Sequence, residues 1–239
     1  MSTNCTVVVN NAGGAQDFFI FQAPVTPSYL YGPPPGSELT VYSNSLGTFN
    51  VPSKDEGSDG AVFVTVSEQF VSLQYPTSLI TVGQPPSHAP IINQAITPTS
   101  ATSSENNYCA VRLAPLGFVN PGSAAGVPEG AFRIDMSNNF SPMANIGSSV
   151  QVIAKSEAIV LSSFWNNVYG GVIFDCLTPH LLYVQVGNAE AGTVIDFASA
   201  SKGAAVCDCS GGRSCFTLVY NPIFTNTPQG PFTLMPEEN

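Results

Sequence analysis

The sequence predicts an all-β protein, a sandwich or barrel-like body with long Pro- and Gly-rich loops. Three observations carry that prediction. Apolar residues come in short runs, bounded by turn formers and too rich in Val, Ile and Phe for helices. With 21 Gly and 20 Pro, long helices are improbable and turns are many. Hydrophobic residues make up 44% and charged residues only 9%, against roughly 25% charged in an ordinary domain. The polar surface is therefore built from Ser, Thr, Asn and Gln.

Taken in order, Cys5–Asn10 reads as a first strand and Gln16–Gln22 as a second, joined across Asn10-Asn11-Ala12-Gly13-Gly14 as a hairpin. Pro24–Gly36, with Pro27, Pro33, Pro34 and Pro35, reads as an extended surface loop, because proline donates nothing to a sheet ladder. Glu38–Tyr42 is the next strand, and Lys54–Gly60 an exposed charged loop. Ala61–Val66 alternates well, and Phe70–Tyr75 reads as its partner. Pro76–Asn107 is rich in Pro, Ser and Thr and reads as a loop or linker. The chain then divides into a first β half at 1–75, the linker at 76–107 and a second β half at 108–239, or forms one domain over 1–239.

The second half opens with Tyr108–Leu113 and a Gly/Pro loop from Pro115 to Gly130; Ala131–Met136 and Ser149–Ala154 follow as strands. Ala158–Gly187 supplies three apolar runs, Ala158–Phe164, Gly171–Phe174 and Leu181–Val186, which read as consecutive strands at the centre of a sheet. Thr193–Phe197 and Phe216–Tyr220 are further strands, and Asn221–Asn239 reads as an irregular tail.

Charge excludes some functions. The net charge is −10, and Lys54, Arg112, Arg133, Lys155, Lys202 and Arg213 are scattered, so neither nucleic acid nor an anionic membrane surface is an expected partner. No apolar run approaches the roughly 20 residues of a membrane helix. Six cysteines, Cys5, Cys109, Cys176, Cys207, Cys209 and Cys215, point to a disulfide-bonded protein of the secretory pathway. Cys207 and Cys209 are too close in one strand to bridge each other readily. The N-terminus lacks signal-peptide character, which fits a mature form. Asn139-Phe140-Ser141 and Asn4-Cys5-Thr6 are glycan acceptor triplets, so Asn139 and Asn4 are the candidate glycosylation sites.

Nucleophile-elbow, phosphate-loop, dinucleotide and zinc-protease motifs are absent from the sequence. A zinc reading would join Cys176 and His180 to the Cys207–Cys215 cluster, but the C-x-C spacing is tighter than structural zinc sites use; no metal and no cofactor are expected. Asp175 and His180 flank Cys176 and form either an acid–base pair or a plain polar contact at a strand end. Trp165 with Tyr169 fills the core or walls an apolar pocket, and His88 lies in a Pro-rich loop. Arg112 and Arg133 sit inside strands, where each needs a carboxylate partner or faces a cavity.

Two stretches, NNAGGAQDFFIFQAP at 10–24 and YVQVGNAEAGTVIDF at 183–197, give the chain a texture that resembles small secreted all-β proteins of filamentous fungi. Some of these belong to secondary-metabolite pathways, among them cofactor-free hetero-Diels–Alderases that join a tropolone quinone methide to a humulene-type sesquiterpene. That resemblance implies a cofactor-free cyclase acting on an apolar small molecule. His180, Arg112 and Arg133 are then the candidate catalytic donors, and Trp165, Tyr169 and His88 the candidate substrate-binding residues. A secreted ligand- or carbohydrate-binding sandwich and a structural surface protein are the alternatives.

Overall fold

The computed structural model describes residues 4–32, 40–54, 61–75, 80–85, 91–137, 144–154, 156–209, 215–222 and 231–235. Among these described residues strand content is 61% and helix 4%, arranged as a nearly closed barrel-like sheet with a second sheet beside it.

The first half of the chain supplies β1 (Asn4–Asn10), β2 (Gln16–Gln22), β3 (Thr26–Tyr31), β4 (Val41–Val51), β5 (Ala61–Gln74) and β6 (Ile92–Ile96). There follow β7 (Tyr108–Leu113), β8 (Leu116–Gly122), β9 (Ala131–Asp135), β10 (Ala144–Ile153), β11 (Glu157–Val168) and β12 (Ile173–Leu177). The last are β13 (Leu181–Val186), β14 (Val194–Ile195), a short helix α1 (Phe197–Ala200), β15 (Ala205–Asp208), β16 (Cys215–Tyr220) and β17 (Phe232–Leu234). The 12-stranded sheet runs β15-β13-β2-β4-β11-β10-β5-β1-β16-β17, with β14 beside β4 and β6 beside β5; the 5-stranded sheet runs β3-β12-β9-β7-β8. Strands from both sequence halves alternate along the larger sheet, so the two halves share it.

Double-sided burial explains the densest apolar runs. Along β2, Phe18 and Ile20 enter the main core while Phe19 and Phe21 enter a smaller one on the other face. A strand covered on both faces loses the polar alternation of a half-exposed one, hence the run Asp17-Phe18-Phe19-Ile20-Phe21. The main core lies within the curved sheet and gathers Val8, Phe18, Leu46, Val150, Leu218 and Phe232. A second core, with Leu73, Ile146 and Trp165 from the large sheet and Phe132, Ile134 and Phe174 from the small one, bonds the two sheets face to face.

Between these cores lies a belt of buried polar groups. Gln69 Nε2 donates to Ser148 Oγ at 2.5 Å and to Ser149 O at 2.8 Å, and Ser162 Oγ donates to Ser148 O at 2.9 Å. Ser163 Oγ accepts from Val25 N at 3.0 Å. The belt falls where the β10–β11 register shifts between Ser148 and Ser149, and where the β5–β10 register shifts between Val150 and Val152. Bulges interrupt the ladder, and hydroxyl and amide side chains satisfy the groups left over.

Several expectations are corrected. The hairpin expected from Cys5–Asn10 and Gln16–Gln22 does not form: β1 lies between β5 and β16, and β2 between β4 and β13. The strands expected over Ala61–Val66 and Phe70–Tyr75 are one strand, β5, which ends at Gln74, because the polar residues Ser67 and Glu68 form a bulge rather than a turn. The loop expected over Pro24–Gly36 contains β3, an edge strand whose exposed position tolerates Pro27. The expected linker contains β6, the Gly/Pro loop β8, and the expected tail β17. The three runs of Ala158–Gly187 do not lie side by side: β11 is central in the large sheet, β12 joins the small sheet, and β13 lies next to the edge strand β15. Thr193–Phe197 ends as a helix, because Asp196 caps it by accepting from Ser199 N.

Cys109, Cys176, Cys207, Cys209 and Cys215 are free thiols, so the expected disulfide framework does not join them. Cys109 and Cys176 share a core but sit on β7 and β12, on either side of β9. Two strand spacings separate their backbones by about 9–10 Å, beyond the roughly 7 Å a disulfide spans. The side chain of Cys5 lies outside the described residues.

Candidate functional site

Among the described residues, the sequence-predicted ones do not converge. Arg133 is taken by Asp175, Nε to Oδ1 at 2.7 Å and Nη2 to Oδ2 at 3.0 Å, and its Nη1 and Nη2 also donate to Ala125 O and Gly126 O at 3.3 Å. Arg112 is exposed and its Nε donates to Pro115 O at 3.2 Å. His180 is exposed, while Cys176 is fully buried, so the histidine and that thiol do not share a zinc site. Trp165 is 0% exposed and packs on Phe174 in the second core, whereas Tyr169 is 68% exposed; the two do not form one wall. His88 and Asn139 lie outside the described residues, as does the side chain of Asn4, whose triplet partner Thr6 is buried. Among the described residues no group of three or more His, Cys, Asp or Glu could hold a metal ion. No helix among them is long and apolar enough to cross a membrane.

On the small sheet, Tyr108, Arg133, Asp135 and Asp175 make one polar network. Tyr108 Oη donates to Asp135 Oδ2 at 3.0 Å. Burial, and then that bond to a carboxylate, push the Tyr108 phenol up to about 12. Asp175 holds the Arg133 guanidinium in its charged form. Each charge in this network already has a partner, so it braces the sheet and the 123–130 loop.

Open space lies elsewhere, around the turn that joins β13 to β14. A cleft of about 690 Å³ is bordered by Phe19, Gln84, Gln185, Glu190, Ile195 and Asp196. Phe19 and Ile195 in its wall belong to the third core, in which Phe21 stacks on Tyr183 with centroids 5.1 Å apart and Phe197 meets Tyr183 edge-on at 5.2 Å. A second cleft of about 540 Å³ is bordered by Asp17, Phe49, Asn50, Ala158 and Val160. Asn188 and Glu190 border both clefts.

The turn between them is fixed by β4. Ala189 N donates to Thr48 Oγ1 at 2.8 Å, Ser45 Oγ donates to Ala189 O at 2.7 Å, and Asn44 Nδ2 donates to Gly192 O at 2.7 Å. Ser45 N donates to Thr193 O and Gly192 N to Ser45 O, each at 2.8 Å. Gly192 closes the turn at φ 81°, in the left-handed region that a side chain would strain. At the far rim, Asp196 accepts from Ser199 Oγ at 2.6 Å, which, with the Ser199 N–H, holds its carboxyl below the usual range.

Sequence reasoning missed this site. Its side chains are commonplace Gln, Asn, Glu and Ala residues, and the groups that rigidify the turn lie on a strand about 140 positions earlier (141 between Ala189 and Thr48). The available signal was Gly187 and Gly192 bracketing Asn188-Ala189-Glu190-Ala191 between apolar runs. Comparison of the chain with family models, with curated proteins and with solved structures found no match.

Proposed function

We propose that the protein binds a neutral, hydroxyl-rich small molecule in the larger cleft. The observation that carries this reading is a cleft of about 690 Å³ beside a turn held rigid from below. Pockets for small ligands run from about 300 to 1,000 Å³, and fixed walls lower the ordering cost of binding. The border sets the chemistry. Gln84, Gln185 and Asn188 offer amide donors and acceptors, Glu190 and Asp196 accept from hydroxyls, and Phe19 and Ile195 suit a C–H face. No Lys or Arg borders the cleft among the described residues, and the chain carries −10, so an anionic ligand is disfavoured.

Titration calorimetry with a panel of neutral disaccharides tests the reading. Saturable binding is expected, together with its loss in Gln84→Trp, where an exposed position gains an indole at the cleft mouth. Absence of heat for every member of the panel would end it.

A second reading follows from the resemblance to cofactor-free hetero-Diels–Alderases, and the cleft volume favours it, since about 690 Å³ admits two medium-sized partners side by side. Holding diene and dienophile in a near-attack pose draws on the roughly 7–11 kcal/mol open to well-oriented pairs. The amide N–H groups of Gln84 and Gln185 replace Arg112, Arg133 and His180 as donors to the heterodiene oxygen in this reading. Incubation with a tropolone-type precursor and a cyclic terpene alcohol decides it. Yield and stereochemistry equal to the protein-free control remove the cyclase.

A further inference from the structure

We infer that the binding site continues over the Asn188–Ala191 turn into the second cleft, and that its ligand is a linear chain of repeating neutral sugar units. This rests on the reading of the first cleft as a site for a hydroxylated molecule, and extends it.

The first ground is continuity. The clefts of about 690 and 540 Å³ share Asn188 and Glu190, so one molecule passing the turn touches the same two side chains from both sides. Both residues are exposed.

The second ground is rigidity. Thr48, Ser45 and Asn44 hold the turn at Ala189 and Gly192 through bonds of 2.7–2.8 Å, and Ser45 and Asn44 are fully buried. A turn held this way acts as a fixed saddle, across which a ligand lies without reordering the protein.

The third ground is repetition of chemistry. The first cleft presents an aromatic ring, an amide and a carboxylate in Phe19, Gln185 and Asp196. The second presents the same set in Phe49, Asn50 and Asp17. Asn50 Nδ2 donates to Asp17 Oδ1 at 2.7 Å, which sets a donor and acceptors side by side, the arrangement that pairs with two neighbouring hydroxyls. Glu190 stands between the two sets. Two adjoining clefts with one inventory suit a ligand whose own chemistry repeats along its length.

Affinity against chain length is the test, measured on the whole protein with cello-, xylo- and chito-oligosaccharides from the disaccharide to the hexasaccharide. The best series is expected to gain about tenfold or more between its shortest and longest members. Ala158→Trp, which places an indole in the second cleft at an exposed position, brings the longest member back to disaccharide affinity. Asn50→Ala, a smaller change at an exposed site, reduces the same gain and guards against an Ala158→Trp protein that does not fold. Disaccharide binding with no gain on lengthening, or a gain that survives both substitutions, overturns the second subsite while leaving the first cleft in place. Failure of all saccharides defeats both. Binding of spermine in their place assigns the strung carboxylates to a polyamine and also overturns the inference.

Discussion

Arg133 and Asp175 stand directly opposite each other on β9 and β12, and they meet through two parallel bonds of 2.7 and 3.0 Å. The Asp175 side chain is 4% exposed and that of Arg133 16%. Strand register therefore decides the partner of Asp175. Nearness in sequence suggested His180, but that residue lies beyond the end of β12, whereas a cross-strand neighbour 42 positions away lies within reach.

Removing one member of this pair leaves the other charge poorly solvated, and broken buried pairs cost about 3–5 kcal/mol. Arg133 retains more solvent and two carbonyl partners, so it survives the loss of Asp175 better than Asp175 survives the loss of Arg133. Arg133→Met is expected to lower stability by about 3 kcal/mol and Asp175→Asn by less. Urea unfolding measures both, and the reverse order would contradict this account of burial.

Where the sequence spoke clearly, burial was continuous. Gln16–Gln22 and Leu181–Val186 were legible to the residue, each an apolar run closed by turn formers. β3 and β6 were not legible, because strands with mostly exposed side chains carry no alternating signal. The bulge at Ser67-Glu68 imitated a turn. The clefts stayed hidden for another reason: their shape depends on Thr48, Ser45 and Asn44 meeting a turn remote in sequence, a contact that no local pattern encodes.

Gly147 sits on β10 where a Cβ would lie 2.8 Å from Ser163 O and within overlap of Leu161 Cδ1. The backbone carbonyl cannot yield as a flexible side chain would. Gly147→Ala is expected to cost about 1–3 kcal/mol, the usual penalty of overpacking. Gly117→Ala, with open space around it, is the control. Equal melting temperatures for the two variants would count against the close approach of β10 and β11.

Trp165 is fully buried, and its indole N–H has no hydrogen-bond partner among the described residues. An unmade buried hydrogen bond costs about 1–3 kcal/mol. Trp165→Phe removes that group along with part of the ring, so its cost is expected to fall well below the about 3–5 kcal/mol of Trp165→Ala. Comparable losses for the two substitutions, read from chemical unfolding, would mean that the N–H is satisfied.

Burial pushes the thiols of Cys207 and Cys209 up to about 12 and about 11, from an ordinary 9.0, and Tyr108 up to about 12 from 10.0. In each case the folded state holds its proton more tightly than the unfolded chain does. Stability from these groups is therefore complete below pH 9 and declines as pH rises toward 11 and 12, because the unfolded chain gains by ionising first. Inside its own window each group steepens the decline by at most about 1.4 kcal/mol per pH unit. Melting temperature is expected to hold level from pH 7 to 8.5 as far as these groups contribute, then to fall. Cys207→Ala should flatten the fall, since Cys207 has the lowest exposure of the three groups. The same thiols supply an independent readout. Titration of the unfolded, unreduced protein with a disulfide reagent should find at least the five thiols Cys109, Cys176, Cys207, Cys209 and Cys215, whereas the native protein should expose Cys215 first. A level melting curve up to pH 11, or an unfolded chain without those thiols, would overturn the assignment of Cys207 and Cys209 as buried and reduced.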